Sequence, residues 1–458
     1  MRASIVGLGL TALVLGYAAP VSGQWLAVDA RRIGMGGLAV GLSGGVVRFN
    51  PAYRAVRRHA ARPGEPRLTV PIPLGLVSFF EEHPISHITH DPMFNPDSAA
   101  FNPVEAINTL LHPPFFLQVK TPPTPTNDWI FTIGRDHLVV DLGQSRELIP
   151  VDQFGFGGSS RPIDPGVDLK GVRLSVMTWF HTEVGFQLGD QLLGFLRDAE
   201  SAQHNTAYTV SADAFTEGGF APTVSYSGRI AGDTAAGFYV GAALHYYVGA
   251  GYWRTSADSA GFMTGDTIFA GPTPVTPVMH AVSSYSRVGN SVGHGIGGDL
   301  GFAYASGPVE VGFGINDIGA TITWPDTRQD SAYYRDSTAA GNGSIVSYSV
   351  PIANHRETKT KLPVAYIANV AYTVGNTTLG ADLLNTGRGG VVHVGGEQRI
   401  GLLAVRGGVA RDQRKRIEFG FGGGLRFGGL GLDVGFWTHT NSLSNERGIT
   451  MATSLSIY

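Results

Sequence analysis

The stretch Gly293-His294-Gly295-Ile296-Gly297-Gly298-Asp299-Leu300-Gly301-Phe302-Ala303-Tyr304-Ala305-Ser306, continued after Gly307-Pro308 by Val309-Glu310-Val311-Gly312-Phe313-Gly314-Ile315-Asn316-Asp317-Ile318, decides the fold. In its first half Ile296, Leu300, Phe302 and Tyr304 fall on one face, while Gly295, Gly297, Asp299, Gly301 and Ala303 fall on the other. In its second half Val309, Val311, Phe313 and Ile315 oppose Glu310, Gly312, Gly314 and Asn316. A period of two is the period of a β-strand, and Ser306-Gly307 supplies the turn between two of them. The polarity is inverted, with bulky apolar residues outside and glycines and carboxylates inside. A closed barrel in a lipid bilayer requires that arrangement.

The same pattern continues on both sides. In Gly237–Trp253, Phe238, Val240, Ala242, Leu244, Tyr246 and Val248 share one face, and Gly241, His245, Tyr247 and Gly249 share the other. Further strands are expected at Arg67–Phe80, Phe115–Lys120, Trp129–Leu142, Gly171–Leu188, Tyr208–Ala214 and Pro222–Ile230. Short connections at Ser306–Gly307, Gly375–Asn376, Ile400–Gly401 and Gly428–Gly429 alternate with longer polar ones at Pro325–Lys361, Asn385–Gly390, Arg411–Arg416 and Thr438–Arg447. Short periplasmic turns and long outer loops mark outer-membrane barrels. The fold class is therefore all-β, a transmembrane antiparallel barrel of about fourteen strands, sixteen at most. Two interruptions read as short helices: Asn102–Leu111, with Pro103 in its first position, and Asp190–Asp198.

Composition agrees. Glycine supplies 64 of 458 residues, roughly twice its usual share. Charged residues are only 15% and the net charge is −3, which offers nothing to a nucleic acid. There is no cysteine, so disulfides and thiolate metal sites are excluded. Met1–Gly23 reads as a secretory signal, with Arg2 ahead of an apolar core and Val21-Ser22-Gly23 at the cleavage point. The alternative, an N-terminal membrane anchor, is disfavoured by the shortness of that core. The chain divides into residues 1–23 (signal), 24–66 (plug segment and linker) and 67–458 (barrel).

Gln24–Ala52 does not alternate. It holds Ala30-Arg31-Arg32-Ile33-Gly34-Met35-Gly36-Gly37 and ends in Phe49-Asn50-Pro51-Ala52. Its glycines oppose a helix and Pro51 opposes a strand. Irregular backbone cannot face lipid, which leaves the barrel lumen as its place. At these residues the chain resembles the FadL-type outer-membrane barrels, including their PorV-like relatives of type IX secretion. Asp299-Leu300-Gly301, Asn316-Asp317-Ile318-Gly319 with Trp324, and Gly428-Gly429-Leu430-Gly431-Leu432-Asp433 share in the likeness. The resemblance implies a fourteen-stranded barrel plugged by its N-terminal segment. It also implies transport of fatty-acid-like hydrophobic molecules or, on the PorV side, a scaffold that binds secretion-system proteins at the cell surface. One departure stands out: the acidic stretch usual before Asn-Pro-Ala is replaced by Ser43-Gly44-Gly45-Val46-Val47-Arg48.

The candidate residues follow from this frame. Gly34, Gly36, Gly37, Asn50, Pro51 and Ala52 would form the plug and gate. Asp299, Glu310, Asp382, Glu397, Arg399, Arg406, Glu418, Arg426 and Asp433 would face the lumen, where buried charges need partners. Arg31, Arg32 and Arg48 are available as counter-ions. Phe79, Phe80, Phe115 and Phe116 would line a greasy way in for a ligand, or sit with Trp129, Trp179, Phe180, Trp253 and Trp437 in membrane girdles. His83, His87 and His90, beside Glu81, Glu82 and Asp91, are weak metal candidates in a proline-bounded loop, so no metal and no cofactor is expected. His439-Thr440-Asn441-Ser442 is the nearest thing to a hydrolase pair. In an extended segment these two side chains point to opposite faces, so no enzyme is expected. The expected partners are outer-membrane lipids and a hydrophobic small molecule.

Overall fold

The structure, a computed structural model, describes residues 29–38, 49–59, 68–72, 116–120, 130–134, 136–141, 154–161, 164–233, 235–266, 275–286, 292–336, 345–387, 389–412, 417–438 and 449–458, with positions 74, 81 and 268 besides. In chain order the elements begin with α1 (Ala30–Gly34), α2 (Tyr53–His59), β1 (Leu68–Ile72), β2 (Phe116–Lys120), β3 (Ile130–Gly134), β4 (His137–Asp141), β5 (Phe154–Ser160), β6 (Gly166–Leu169), β7 (Val172–Leu188) and α3 (Asp190–Arg197). They continue with β8 (Ala207–Gly232), β9 (Ala236–Thr264), β10 (Val275–Ser286), β11 (Gly293–Ser306), β12 (Val309–Asp336), β13 (Ile345–Lys361), β14 (Ala365–Val374), β15 (Thr377–Asn385), β16 (Gly390–Ile400), β17 (Leu403–Arg411), β18 (Ile417–Phe427), β19 (Leu430–Trp437) and β20 (Ile449–Ile457).

Eighteen strands join in one antiparallel sheet. Four wall positions are each filled by two collinear pieces: β1 with β2 on β20, β5 with β6 on β7, β10 with β11 between β9 and β12, and β13 with β14 on β12. The eighteen strands therefore make fourteen wall positions. The lower of the two counts read from the sequence is the one realised.

The inverted polarity is real. Ile296, Leu300 and Phe302 are 60%, 45% and 55% exposed, whereas Asp299 and Glu310 are 4% and 0%. At the C-terminal strand Leu455 and Ile457 face outward, and Ser454 and Ser456 are fully buried. The short turns need a positive φ, which glycine supplies at Gly307 (50°) and Gly428 (59°). They all lie at one end of the wall.

The wall is taller on one side. β16 to β20 have 8–11 residues, about what a tilted membrane strand needs. β8, β9 and β12 have 26, 29 and 28, so their outer halves stand above the bilayer. Two expectations are corrected here. Tyr208–Ala214 and Pro222–Ile230 belong to one strand, because Pro222 only drops local ladder pairs with β9. Pro325–Lys361, expected as a loop, is mostly the paired outer halves of β12 and β13. Water on both faces removes the alternation that would have revealed them.

Trp129–Leu142 is also corrected. β3 and β4 make a separate two-stranded sheet rather than part of the wall. This hairpin meets α3 and the outer end of β8, where Val140, Leu192, Phe195, Tyr208 and Ile268 form an apolar cluster. α3 confirms the helix expected at Asp190–Asp198 and is packed loop structure. The helix expected at Asn102–Leu111 and the signal segment lie outside the described residues.

Candidate functional site

The plug lies inside the barrel, and the inward glycines explain how it fits. A Cβ on Gly435 would stand 2.3 Å from the carbonyl oxygen of Ala30, one on Gly420 2.3 Å from that of Ile33, and one on Gly408 2.1 Å from that of Met35. No side chain other than hydrogen fits at these points. Asp29 caps α1, its carboxylate accepting from the Arg31 N–H at 2.9 Å. Burial pushes the Asp29 carboxyl above its usual range, and Arg31 and Arg32 partly hold it down.

The Asn50-Pro51-Ala52 step is seated the same way, against Gly241, Gly301 and Gly314 of β9, β11 and β12. Asn50 Nδ2 donates to the Phe302 carbonyl at 3.0 Å, and its Oδ1 accepts from the Ala52 N–H at 3.1 Å. Asn316 Nδ2 donates to the Phe49 carbonyl at 2.9 Å, and Asn369 Nδ2 donates to the Tyr53 hydroxyl at 2.7 Å. The six residues expected as plug and gate thus lie in two docking steps. Gly34, Gly36 and Gly37 sit against β16 to β18, and Asn50, Pro51 and Ala52 against β9, β11 and β12.

The inward charges form ion pairs. Arg31 reaches Glu397 at 2.9 Å, and Arg406 bridges Glu397 and Asp433 at 2.7 Å each. Arg399 joins Glu397 at 2.8 Å, and Ser456 donates to Asp433. Asp382 touches His393, whose ring lies under Gly37. Glu310 and Glu418 are buried. Arg426 lies near the end of β18, over the Tyr458 ring at 3.9 Å. Arg32 donates to the Gly37 and Leu38 carbonyls of its own segment. Arg48 lies outside the described residues.

Sequence reasoning missed Arg161. Between β5 and β6 the chain leaves the ladder: Ser160 still pairs Phe180, and Gly166 next pairs Ser175. Between these two pairs β7 has four residues, 176–179, and the opposing segment has five, so the ladder falls out of step there. Arg161 turns into the lumen and binds both Asp299 and Asp317, the latter at 2.8 Å. His245 reaches Asp299 at 2.8 Å, and Tyr247 donates to Asp317. Arg54 of the plug binds Asp164 in the same break. A cavity of ≈ 20 Å³ between Pro51, Arg54, Arg161, His245 and Asp299 has room for about one water. The Pro162 and Pro165 flanks were the available signal for this break, since proline interrupts ladders.

Beyond the plug, toward the long strands, the lumen is filled by Met177, Trp179, Tyr247, Tyr252, Ile322, Trp324 and Leu362. Trp179 meets Tyr247 edge-on at 5.3 Å, and Tyr252 lies 5.6 Å from Trp324. Trp324 fits flat because Gly249 and Gly293 lie beneath its ring. The girdle reading is corrected for two residues. Trp179 is 3% exposed in this layer, and Trp437 is 3% exposed against Ala30 and Ile33 of the plug. Trp253, at 40%, does face outward. Phe79, Phe80, Phe115, Trp129, His83, His87, His90, His439 and Ser442 lie outside the described residues, and of Phe116 only its backbone in β2 is described.

Fourteen wall positions with the N-terminal segment docked in the lumen complete the expected architecture. The chain is a plugged barrel, the architecture that the resemblance implied. No family model matches it, and no curated protein matches it. Among solved structures it is similar to the CymD monoaromatic hydrocarbon channel, at 13% identity and a TM-score of 0.31, covering 71% of this chain and 95% of that one. It is similar to the Pseudomonas putida toluene transporter TodX at 11% and 0.33, covering 66% and 79%. It is also similar to a Rhodopseudomonas blastica porin triple mutant at 12% and 0.20, covering 67% and 100%. Likenesses this distant say nothing of cargo.

Proposed function

We propose that this chain is an outer-membrane channel for hydrophobic small molecules, exported by a signal in Met1–Gly23, and that its N-terminal segment is the gate. The observation that carries this reading is the stacking of two kinds of closure in one lumen. An aromatic layer around Trp324 lies toward the long outer strands, and below it the plug is held by glycine slots and ion pairs. Apolar cargo partitions into the first by the hydrophobic effect, and movement of the second opens the way. The break in the ladder between Ser160 and Gly166, beside the Asn50-Pro51-Ala52 step, is the natural place for cargo to leave through the wall. Of the fatty-acid-like class implied by the resemblance, hydrophobicity is the part these residues support.

The absence of native cysteine makes a clean test. The side chains of Arg54 on the plug and Asp164 on the wall meet, so the pair Arg54→Cys with Asp164→Cys, bridged by a short thiol cross-linker attached through disulfides, should lock the plug. Cells bearing the protein should take up a labelled hydrophobic tracer, lose that uptake on cross-linking and regain it with reductant. Uptake indifferent to the lock would overturn the gate, and the lack of any protein-dependent uptake would overturn the channel.

A further inference from the structure

Glu217 of β8 is 1% exposed. It stands between its cross-strand partners His181 on β7 and Tyr252 on β9. One carboxylate oxygen, Oε2, accepts from Trp324 Nε1 at 3.3 Å and from the Thr360 hydroxyl. The other, Oε1, is buried with no donor among the described residues. A buried acceptor left without a donor is costly, and such groups in a native fold call for a partner.

The surroundings say what partner would fit. Glu397, Asp433, Asp299 and Asp317 each have an arginine, but Glu217 forms no ion pair with one among the described residues. The neighbouring His181 directs its two ring nitrogens elsewhere, to Ser159 at 3.0 Å and Glu183 at 3.3 Å. A continuous chain of aromatic rings runs past the carboxylate, through its cross-strand neighbours His181 and Tyr252 and its donor Trp324: His181 lies 5.6 Å from Phe215, Phe215 5.9 Å from Tyr252, and Tyr252 5.6 Å from Trp324. On the outer side the layer opens, since the Glu183 side chain is 31% exposed. A missing donor, a missing counter-charge and a wall of π-faces are together the recognition chemistry of an organic ammonium.

We infer that Glu217 and the rings around it form a cargo site selective for hydrophobic amines. The inference rests on the channel reading and names its substrate class. A carboxylate cargo is disfavoured at this site, because it would face Glu217 at close range in a water-poor lumen.

Three probes of one skeleton test it: phenylbutylamine, pentylbenzene and phenylpentanoic acid, which end in ammonium, methyl and carboxylate. Binding to the full-length protein in detergent is followed by Trp fluorescence or calorimetry. The amine should bind about tenfold more tightly than pentylbenzene, and the acid more weakly than either. Glu217→Gln, which keeps the shape and an acceptor for Trp324, should abolish the amine preference, so that the amine and pentylbenzene bind alike. Tyr252→Leu, which keeps the carboxylate and removes a ring, should reduce the preference severalfold. Equal binding of amine and pentylbenzene would overturn the site and leave the channel reading standing. So would a preference that survives Glu217→Gln. Failure of all three probes to bind would overturn the site as well, and the plug-lock uptake experiment then decides the channel separately.

Discussion

Arg31 of the plug and Glu397 of β16 are 366 positions apart in sequence, yet Arg31 Nε lies 2.9 Å from Glu397 Oε2 and both side chains are buried. The plug is thereby tied to the wall by charge as well as by shape. Removing one partner leaves the other charged and buried, which costs about 3–5 kcal/mol. Glu397→Ala should free the segment around Arg31, seen as protease cleavage there under conditions where the parent resists. Arg31→Met combined with Glu397→Gln should be milder than Glu397→Ala alone, because Arg31 is no longer left charged and buried and Arg406 keeps Asp433. Equal cleavage of parent and Glu397→Ala would show that the pair does not hold the plug.

The glycine slots make a different prediction. At Gly408 a Cβ would meet the Met35 carbonyl oxygen at 2.1 Å, and both partners are backbone, so neither can turn aside. Gly408→Leu should expel the first docking step while leaving β17 paired, since its ladder to β16 and β18 lies in the sheet plane. Planar-bilayer recordings should then show a raised conductance, with the heat-resistant gel migration of the barrel preserved. An unchanged conductance would mean that the plug finds another seat.

Much of this was legible in the residues. The alternation of Leu300 and Phe302 against Asp299 and Gly301 gave the wall and its sense, because lipid and lumen impose opposite demands on neighbouring positions. The run Gly34 to Gly37 marked the plug, because it breaks the period of two that the wall strands keep. The reason for the inward glycines was not legible, since it lies in contacts between Ala30–Ala52 and strands some two hundred to four hundred positions away. Arg161 and the buried Trp179 and Trp437 were hidden for the same reason: period two assigns a face, but only the tertiary structure says what occupies the lumen at that height. The outer halves of β12 and β13 escaped because strands in water on both faces carry no alternation.

The lipid face can be tested against the lumen face at adjacent positions. Leu300 is 45% exposed on the outer wall, so Leu300→Arg should destabilise the folded barrel by about 2–4 kcal/mol if it lies near the bilayer midplane. Leu300→Ala should cost much less. Asp299→Ala, one residue away, should act differently: it strips Arg161 and His245 of a shared partner and loosens the inward turn of the chain after Ser160. Urea unfolding from vesicles separates the two effects. Equal costs for Leu300→Arg and Leu300→Ala would mean that this face does not meet lipid.

Asp29 ties plug docking to pH. Its carboxyl is raised in the docked plug, chiefly by burial, so the docked state binds the proton more tightly than the free segment does. The contribution is therefore full below the ordinary carboxylate range and is lost as pH rises through the raised value. Plug release, followed by how fast a thiol reagent labels Ala30→Cys, a position buried in the docked plug, should become easier over that window. Asp29→Asn keeps an acceptor for the Arg31 N–H and cannot ionise, so it should flatten the dependence while leaving the plug docked. A pH profile identical in parent and Asp29→Asn would place the titrating group elsewhere.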